Sequence, residues 1–287
     1  MIERILIVGT GLLGASTGLA LRAHGYTGAI AGWDRDSAAL AEALARGAVT
    51  ETAADPVAAA MQAELILLAG PVLTILDWME RLAPSLTPQQ LVTDAGSTKL
   101  AITEAATRLY NQPGRAAFLP GHPMAGKEVS GPAHAEANLF RGAVWLFTPV
   151  NEPGPVDPKA AATAAEYRGL LSASGCRTLE MDARRHDELL AWVSHLPQFL
   201  ATALTALFED EFGADKDLRA IGGRAMREMT RLGSSPYSMW RDVALTNTEP
   251  IERALEALEE RIGQVRRSLR TPALEAEFAR ANRFRST

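Results

Sequence analysis

Ile5-Leu6-Ile7-Val8-Gly9-Thr10-Gly11-Leu12-Leu13-Gly14 is the stretch that decides the fold. Four aliphatic residues in a row suit a strand buried on both faces. Three glycines spaced G-x-G-x-x-G follow directly, and residues 13–24 then read as a helix. In that setting each glycine has a task. The first permits a tight turn, the second lets a pyrophosphate approach the backbone, and the third lets helix and strand pack closely. The helix N-terminus offers the phosphates its free N–H groups. The second strand-like run, residues 29–33, ends at Asp34, 20 positions after Gly14. A carboxylate there can accept from an adenosine ribose and repels a 2′-phosphate, which favours NAD over NADP. Arg35 argues the other way, and Asp34 as the N-cap of the next helix is the structural alternative. Gly9, Gly11, Leu12, Leu13, Gly14, Asp34, Arg35 and Pro71 form the candidate cofactor set, with Ser97 shared between cofactor and chemistry.

Working outward, apolar runs at 5–8, 29–33, 65–69, 91–93, 116–119 and 144–147 alternate with helical stretches at 13–24, 37–46, 72–82 and 99–110. This alternation predicts an α/β fold, a Rossmann-type doubly wound and mostly parallel sheet. Residues 151–158 (NEPGPVDP) are turn-rich, but a helix at 159–174 and a strand at 177–181 follow and are expected to complete the sheet. From 182 onward the apolar spacing is helical, at 186–209, 216–230, 236–246 and 250–269. The expected domains are therefore 1–181, binding the dinucleotide, and 182–287, all-helical.

The 287 residues are 47% hydrophobic and 22% charged, ordinary for a globular protein. A net charge of −5 lacks the basic footprint of a nucleic-acid binder. The single cysteine, Cys176, cannot pair within the chain, which fits a reducing compartment. No run approaches eighteen uninterrupted apolar residues, and the N-terminus lacks the layout of a signal peptide. The expectation is a cytoplasmic protein.

Three further segments are unusually polar: Asp94-Ala-Gly-Ser-Thr-Lys99, Gly121-His-Pro-Met-Ala-Gly126 and Ser194-His-Leu-Pro197. The first two should sit in loops at the carboxyl ends of strands, where open α/β sheets bind ligands. With GTGLLG before them, KEVSG after the second, and MTRLGSSPYSMWRD from Met229 to Asp242, these blocks resemble the prephenate and arogenate dehydrogenase family. They run in family order from residue 9 to residue 242 and cover nearly the whole catalytic core.

The resemblance implies NAD-dependent oxidation and decarboxylation of a cyclohexadienyl acid, one step before tyrosine. Aromatisation drives that reaction, so no metal or covalent intermediate is needed. His122 matches the family's catalytic histidine, and an imidazole with a resting pKa of about 6.5 suits a general base. Ser97 matches a serine near nicotinamide and substrate hydroxyl, although a serine at a helix start is commonly an N-cap. His195 lies among apolar residues and reads on its own as a core histidine, but the family puts it at the substrate. Arg231 matches the residue that grips a substrate carboxylate, for which a guanidinium fork is well shaped. Arg224 and Arg227 are nearby, and only the Met-Thr-Arg match selects Arg231. Glu128 and Glu228 fall where some members carry an acidic gating pair. Arg241 and Asp242 are expected to tie helices together.

Relatives often carry a fused chorismate mutase or an ACT domain. Neither has room here, so no mutase activity and no ACT-type feedback are expected, while tyrosine competing at the active site stays open. The apolar helical faces suggest a homodimer. Rival readings are an arogenate-specific enzyme, a hydroxyacid or imine dehydrogenase, and an NAD-sensing module without catalysis. Against the second, the helical half holds one lysine, Lys216, in a polar patch ill-suited to a base.

Overall fold

The computed structural model describes residues 1–150 and 156–286; five residues of the turn-rich NEPGPVDP stretch lie outside them. The first half builds β1 (Arg4–Val8), α1 (Leu12–Ala23), β2 (Ala29–Trp33), α2 (Ser37–Ala45), β3 (Glu51–Thr52), α3 (Pro56–Ala60), β4 (Leu65–Leu68), α4 (Val72–Leu82), β5 (Leu91–Asp94), α5 (Leu100–Leu109) and β6 (Ala117–Leu119). These six strands form one parallel sheet in the order β3-β2-β1-β4-β5-β6. Val8 is level with Trp33 and Leu68, and Leu68 with Asp94, so four strands end in one row. The residues after that row face the crevice where the strand order reverses between β1 and β4.

Both faces of the sheet are dry. Ile5, Ile7, Leu65 and Leu67 point into a cluster with Phe140, Trp145 and Tyr167. Leu6, Val8, Ile66 and Leu68 point the other way, against Trp78, Met79 and Ile102. Each such aliphatic side chain contributes about 1.5–3 kcal/mol of burial free energy.

The expectation that residues 177–181 complete the main sheet is overturned. A second, three-stranded sheet joins β7 (Gly121–Pro123), β8 (Val144–Phe147) and, after α6 (Pro158–Ala173), β9 (Arg177–Glu180), in the order β7-β8-β9. A second correction follows. Gly121–Pro123 is a strand, antiparallel to β8 with His122 opposite Leu146, and not the expected loop.

The remainder is helical: α7 (Ala183–Leu190), α8 (Leu196–Phe212), α9 (Lys216–Ile221), α10 (Arg224–Thr230), α11 (Tyr237–Thr246), α12 (Thr248–Ser268) and α13 (Ala273–Ser286). The helix expected at 216–230 is broken at Gly222-Gly223, because paired glycines favour the unfolded backbone. The helix expected at 186–209 widens into a π-turn at Ala191–His195. Pro197 accounts for that, since it has no N–H for the carbonyl of Val193. The continuous element Ala183–Phe212 is, by length and mean hydropathy, apolar enough to cross a membrane, a feature the uninterrupted-run criterion missed. Its first turns are charged, however, and it carries three of the site residues described next.

Candidate functional site

A crevice forms where the strand order reverses between β1 and β4. Gly9 has φ +97°, and a Cβ there would come within 2.6 Å of the Ala69 carbonyl oxygen. A side chain at Gly11 would meet nothing within 4 Å. That open space, beside a helix N-terminus with no capping side chain, fits a pyrophosphate. Leu12 and Leu13 contribute from the first turn of α1, and the Leu13 side chain packs into the core. A cavity of about 640 Å³ is lined by Gly9, Gly11, Asp34, Arg35 and Pro71, together with Trp33, Trp78 and Arg81.

Asp34 Oδ2 accepts from the Thr10 N–H at 2.7 Å, and Oδ1 from the Asp36 N–H at 3.0 Å. It therefore clamps the glycine loop to the end of β2. The N-cap of α2 is Asp36, which accepts from Ala38 and Ala39, so the capping alternative for Asp34 fails.

The second focus lies where β7 crosses the end of β5. A Cβ at Gly121 would meet Asp94 O at 2.9 Å and Trp145 Nε1 at 2.8 Å, so only glycine permits this approach. Asp94, fully buried, accepts from the N–H groups of Gly96 at 2.7 Å and Gly121 at 3.0 Å. Lys99, also fully buried, donates to Asp94 and to the Gly121 carbonyl at 2.6 Å. This pair seats His122 beside the β5–α5 turn that carries Ser97. Ser97 itself is half-buried there, and it does not cap α5.

That helix is capped from the other half of the molecule. Asp187 of α7 accepts from the N–H of Lys99 at 2.7 Å and of Leu100 at 2.9 Å. The same carboxylate lies 2.8 Å from His186 Nδ1, and His186 Nε2 lies 2.9 Å from His122 Nδ1. Asn247 donates to the Asp187 carbonyl at 2.8 Å and contacts His195 Nδ1 at 3.1 Å. His195, on the π-turn, stacks edge-on against Trp240 at 5.9 Å. Asp242 repeats the trans-capping motif: one oxygen holds Arg241 and the other accepts from the Leu73 N–H at 3.1 Å, at the start of α4. This is the helix tie expected of Arg241 and Asp242.

All three buried histidines resist protonation. Burial holds the His122 imidazole well below its ordinary range, and His186, Lys99 and His195 push the same way. Burial also lowers His186, against the pull of Asp187. It takes His195 down to about 4. Burial likewise lowers Lys99, opposed by Asp94 and Asp187.

Glu128 follows β7 and forms an ion pair with Arg231, at the end of α10, so this contact spans both halves of the chain. The Arg231 side chain is 61% exposed, so solvent screens the pair and it contributes only about 0–1 kcal/mol. Glu128 and Glu228, considered from the sequence as an acidic gating pair, each hold an arginine. Glu228 bonds Arg224, one turn away on its own helix, at 2.6 Å.

Comparison with known proteins identifies this arrangement. Residues 17–169 match the family model described as prephenate dehydrogenase, nucleotide-binding domain, and residues 182–282 match prephenate dehydrogenase, dimerization domain. The chain belongs to the prephenate dehydrogenase family. It is 29% identical over 264 residues to the prephenate dehydrogenase of Lactococcus lactis subsp. cremoris, covering 92% of this chain and 70% of that one. Among solved structures, it resembles prephenate dehydrogenase from A. aeolicus in complex with hydroxyphenyl propionate and NAD+, with TM-score 0.84 and 27% identity, covering 100% of this chain and 96% of that one. It also resembles Synechocystis arogenate dehydrogenase, with TM-score 0.76 and 29% identity, covering 99% of each chain.

In this family member, reading the sequence missed His186, Asp187 and Asn247, and it passed over Lys99 within its block. His186-Asp187 sits in a charged run, ARRHDE, that looks like a solvated helix start. Spacing gave no signal: nine residues to His195 is two and a half turns, opposite faces of a regular α-helix, and only the extra residue of the π-turn alters which residues share a face.

Proposed function

We propose that this protein catalyses the NAD-dependent oxidative decarboxylation of prephenate to 4-hydroxyphenylpyruvate, in the biosynthesis of tyrosine. The observation that carries this reading is His122, a buried imidazole kept neutral by its surroundings, on the strand that crosses the end of β5. A neutral imidazole can take the proton of the ring hydroxyl at C4. As the O–H bond breaks, C4 becomes a carbonyl carbon and gives up its hydride. The C1–carboxylate bond then breaks, CO2 leaves, its electron pair completes the aromatic ring, and the ring oxygen takes back the proton held by His122.

When bound, the dinucleotide supplies the hydride acceptor. Gly9, Gly11, Leu12, Leu13 and Gly14 would hold its phosphates, Asp34 the adenosine ribose, and Arg35 and Pro71 the flanking walls. Asp34 favours NAD over its 2′-phosphorylated form. Ser97 is assigned to the substrate hydroxyl and nicotinamide, His195 to substrate binding, and Arg231 to a substrate carboxylate. For Arg231 this means leaving Glu128 when substrate enters, which makes Glu128 a competitor for the guanidinium. Glu228 keeps only a remote role.

We take residues 1–181 as the dinucleotide domain and 182–287 as the substrate and dimerisation domain of a cytoplasmic homodimer. Exposed apolar residues on the helical half, among them Trp192, Val193, Leu207, Phe212 and Leu245, support self-association.

The test is NADH appearance with prephenate and with arogenate, for wild type and His122→Asn. Rapid turnover of prephenate, lost in the variant, is the expected result. Preference for arogenate would move the substrate assignment. A variant as fast as wild type would overturn the assignment of the base.

A further inference from the structure

We propose that Asp187 is a positioning residue that sets two catalytic-site histidines in opposite proton states, His122 as acceptor through His186, and His195 as donor through Asn247. This deepens the functional reading above and rests on it.

A carboxylate only accepts hydrogen bonds, so the 2.8 Å contact requires His186 Nδ1 to carry the proton. A neutral imidazole carries just one, and burial keeps His186 neutral. His186 Nε2 is therefore a lone pair, and the 2.9 Å contact makes His122 Nδ1 the donor. His122 Nε2 is then left bare. It has no hydrogen-bond partner among the described residues, and it is the atom that takes the substrate's proton.

The second branch has the opposite sense. Asn247 Nδ2 must donate to the Asp187 carbonyl, which fixes the orientation of its amide. The remaining Nδ2 hydrogen points to His195 Nδ1, so that nitrogen accepts and the proton sits on Nε2. Of the two imidazoles, one offers a lone pair and the other an N–H. The chemistry needs this pair of roles, one group to remove a hydroxyl proton and one to hold an anionic or carbonyl oxygen.

Asp187 is itself held by the N–H groups of Lys99 and Leu100, so its carboxylate cannot turn over without uncapping α5. The other charged and titratable groups around His122 are Lys99, Asp94 and His195. Lys99 is engaged by Asp94 and the Gly121 carbonyl, which leaves His186 as the partner of His122 Nδ1.

The decisive measurement is nitrogen-15 NMR of histidine-labelled wild-type protein near neutral pH, with His122→Asn and His195→Asn used to assign the signals. The expected result is a protonated Nδ1 at His122 and a protonated Nε2 at His195. A protonated Nε2 at His122 overturns the proposal, whatever the substrate proves to be, so this result is separate from any failure to turn over prephenate.

Kinetics give an independent arm. In Asp187→Asn the side-chain amide can donate to His186 and reverse the relay, so kcat should fall about 100-fold or more with KM changed only a few-fold. His186→Leu should show the same loss, and His186→Gln, whose amide oxygen can still accept from His122, should recover at least tenfold of it. Equal activity in the leucine and glutamine variants would mean that His186 is only a packing residue.

Discussion

The two sides of the active cleft are built in different ways. The crevice under Gly9 and Gly11 is lined by one half of the chain, from three segments within its first 81 residues, with Asp34 bonding back only 24 positions to Thr10. The cluster around His122 is assembled across the molecule: His186 lies 64 positions away, and Asp187 lies 88 from the Lys99 N–H that it caps. Helix capping divides in the same manner. α2, α3, α6, α7 and α9 are each capped by an aspartate immediately before them: Asp36, Asp55, Asp157, Asp182 and Asp215. At α4 and α5, which also border the cleft, acceptors come instead from Asp242 and Asp187 of the helical half. The comparison teaches that the candidate cofactor crevice is built locally, whereas the His122 cluster, to which we assign proton transfer, depends on how the two halves meet.

That contrast can be broken in graded steps. The largest effect is expected at His122→Asn: kcat falls about 10²- to 10⁴-fold in an NADH assay, while affinity for the dinucleotide by calorimetry stays within about twofold, because the crevice is built without it. Next is Lys99→Met. It leaves Asp94 buried without its ionic partner, and denaturant unfolding should register a loss of about 3–5 kcal/mol.

Acidification tests the same region through stability. The folded-state values of His122, His186 and His195 lie below the unfolded value of 6.5. Below that pH the unfolded chain binds more protons than the native one, so stability falls as the pH drops from 6.5 and, for His195, levels off near 4. Urea midpoints measured between pH 8 and pH 5 should decrease monotonically, and His195→Asn should flatten part of the slope.

Gly11→Ala sharpens the local side of the comparison. Its Cβ meets nothing in the protein, so stability should hold or rise slightly, while KM for the dinucleotide rises about tenfold and kcat at saturation is kept. The smallest effect is expected at Asp36→Ala, a local cap: about 1 kcal/mol of stability by thermal melting and no change in kcat/KM.

Legibility from sequence follows the same line. Strands β1, β2, β4, β5 and β6, the glycine loop and the importance of Asp34 could be read because strand, turn and helix signals are contiguous and the physics of a phosphate site is local, whereas β3, only two residues long, leaves no pattern. His122, His195 and Arg231 were reached only through a family resemblance, since a lone histidine among apolar residues carries no sign of what faces it. The strand status of Gly121–Pro123 was hidden because three residues are too few for an alternating pattern, and its partner β8 begins more than twenty residues later. His186 and Asp187 were obscured by neighbouring arginines and glutamate that do face solvent.

The trans-capping of α4 and α5 bears on how such an enzyme can be rebuilt. A chimera that grafts this nucleotide-binding half onto a foreign C-terminal module would expose the first turns of both helices unless the new module brought carboxylates to the same two spots. Transplanting this half therefore means carrying two acidic residues that lie outside its own sequence.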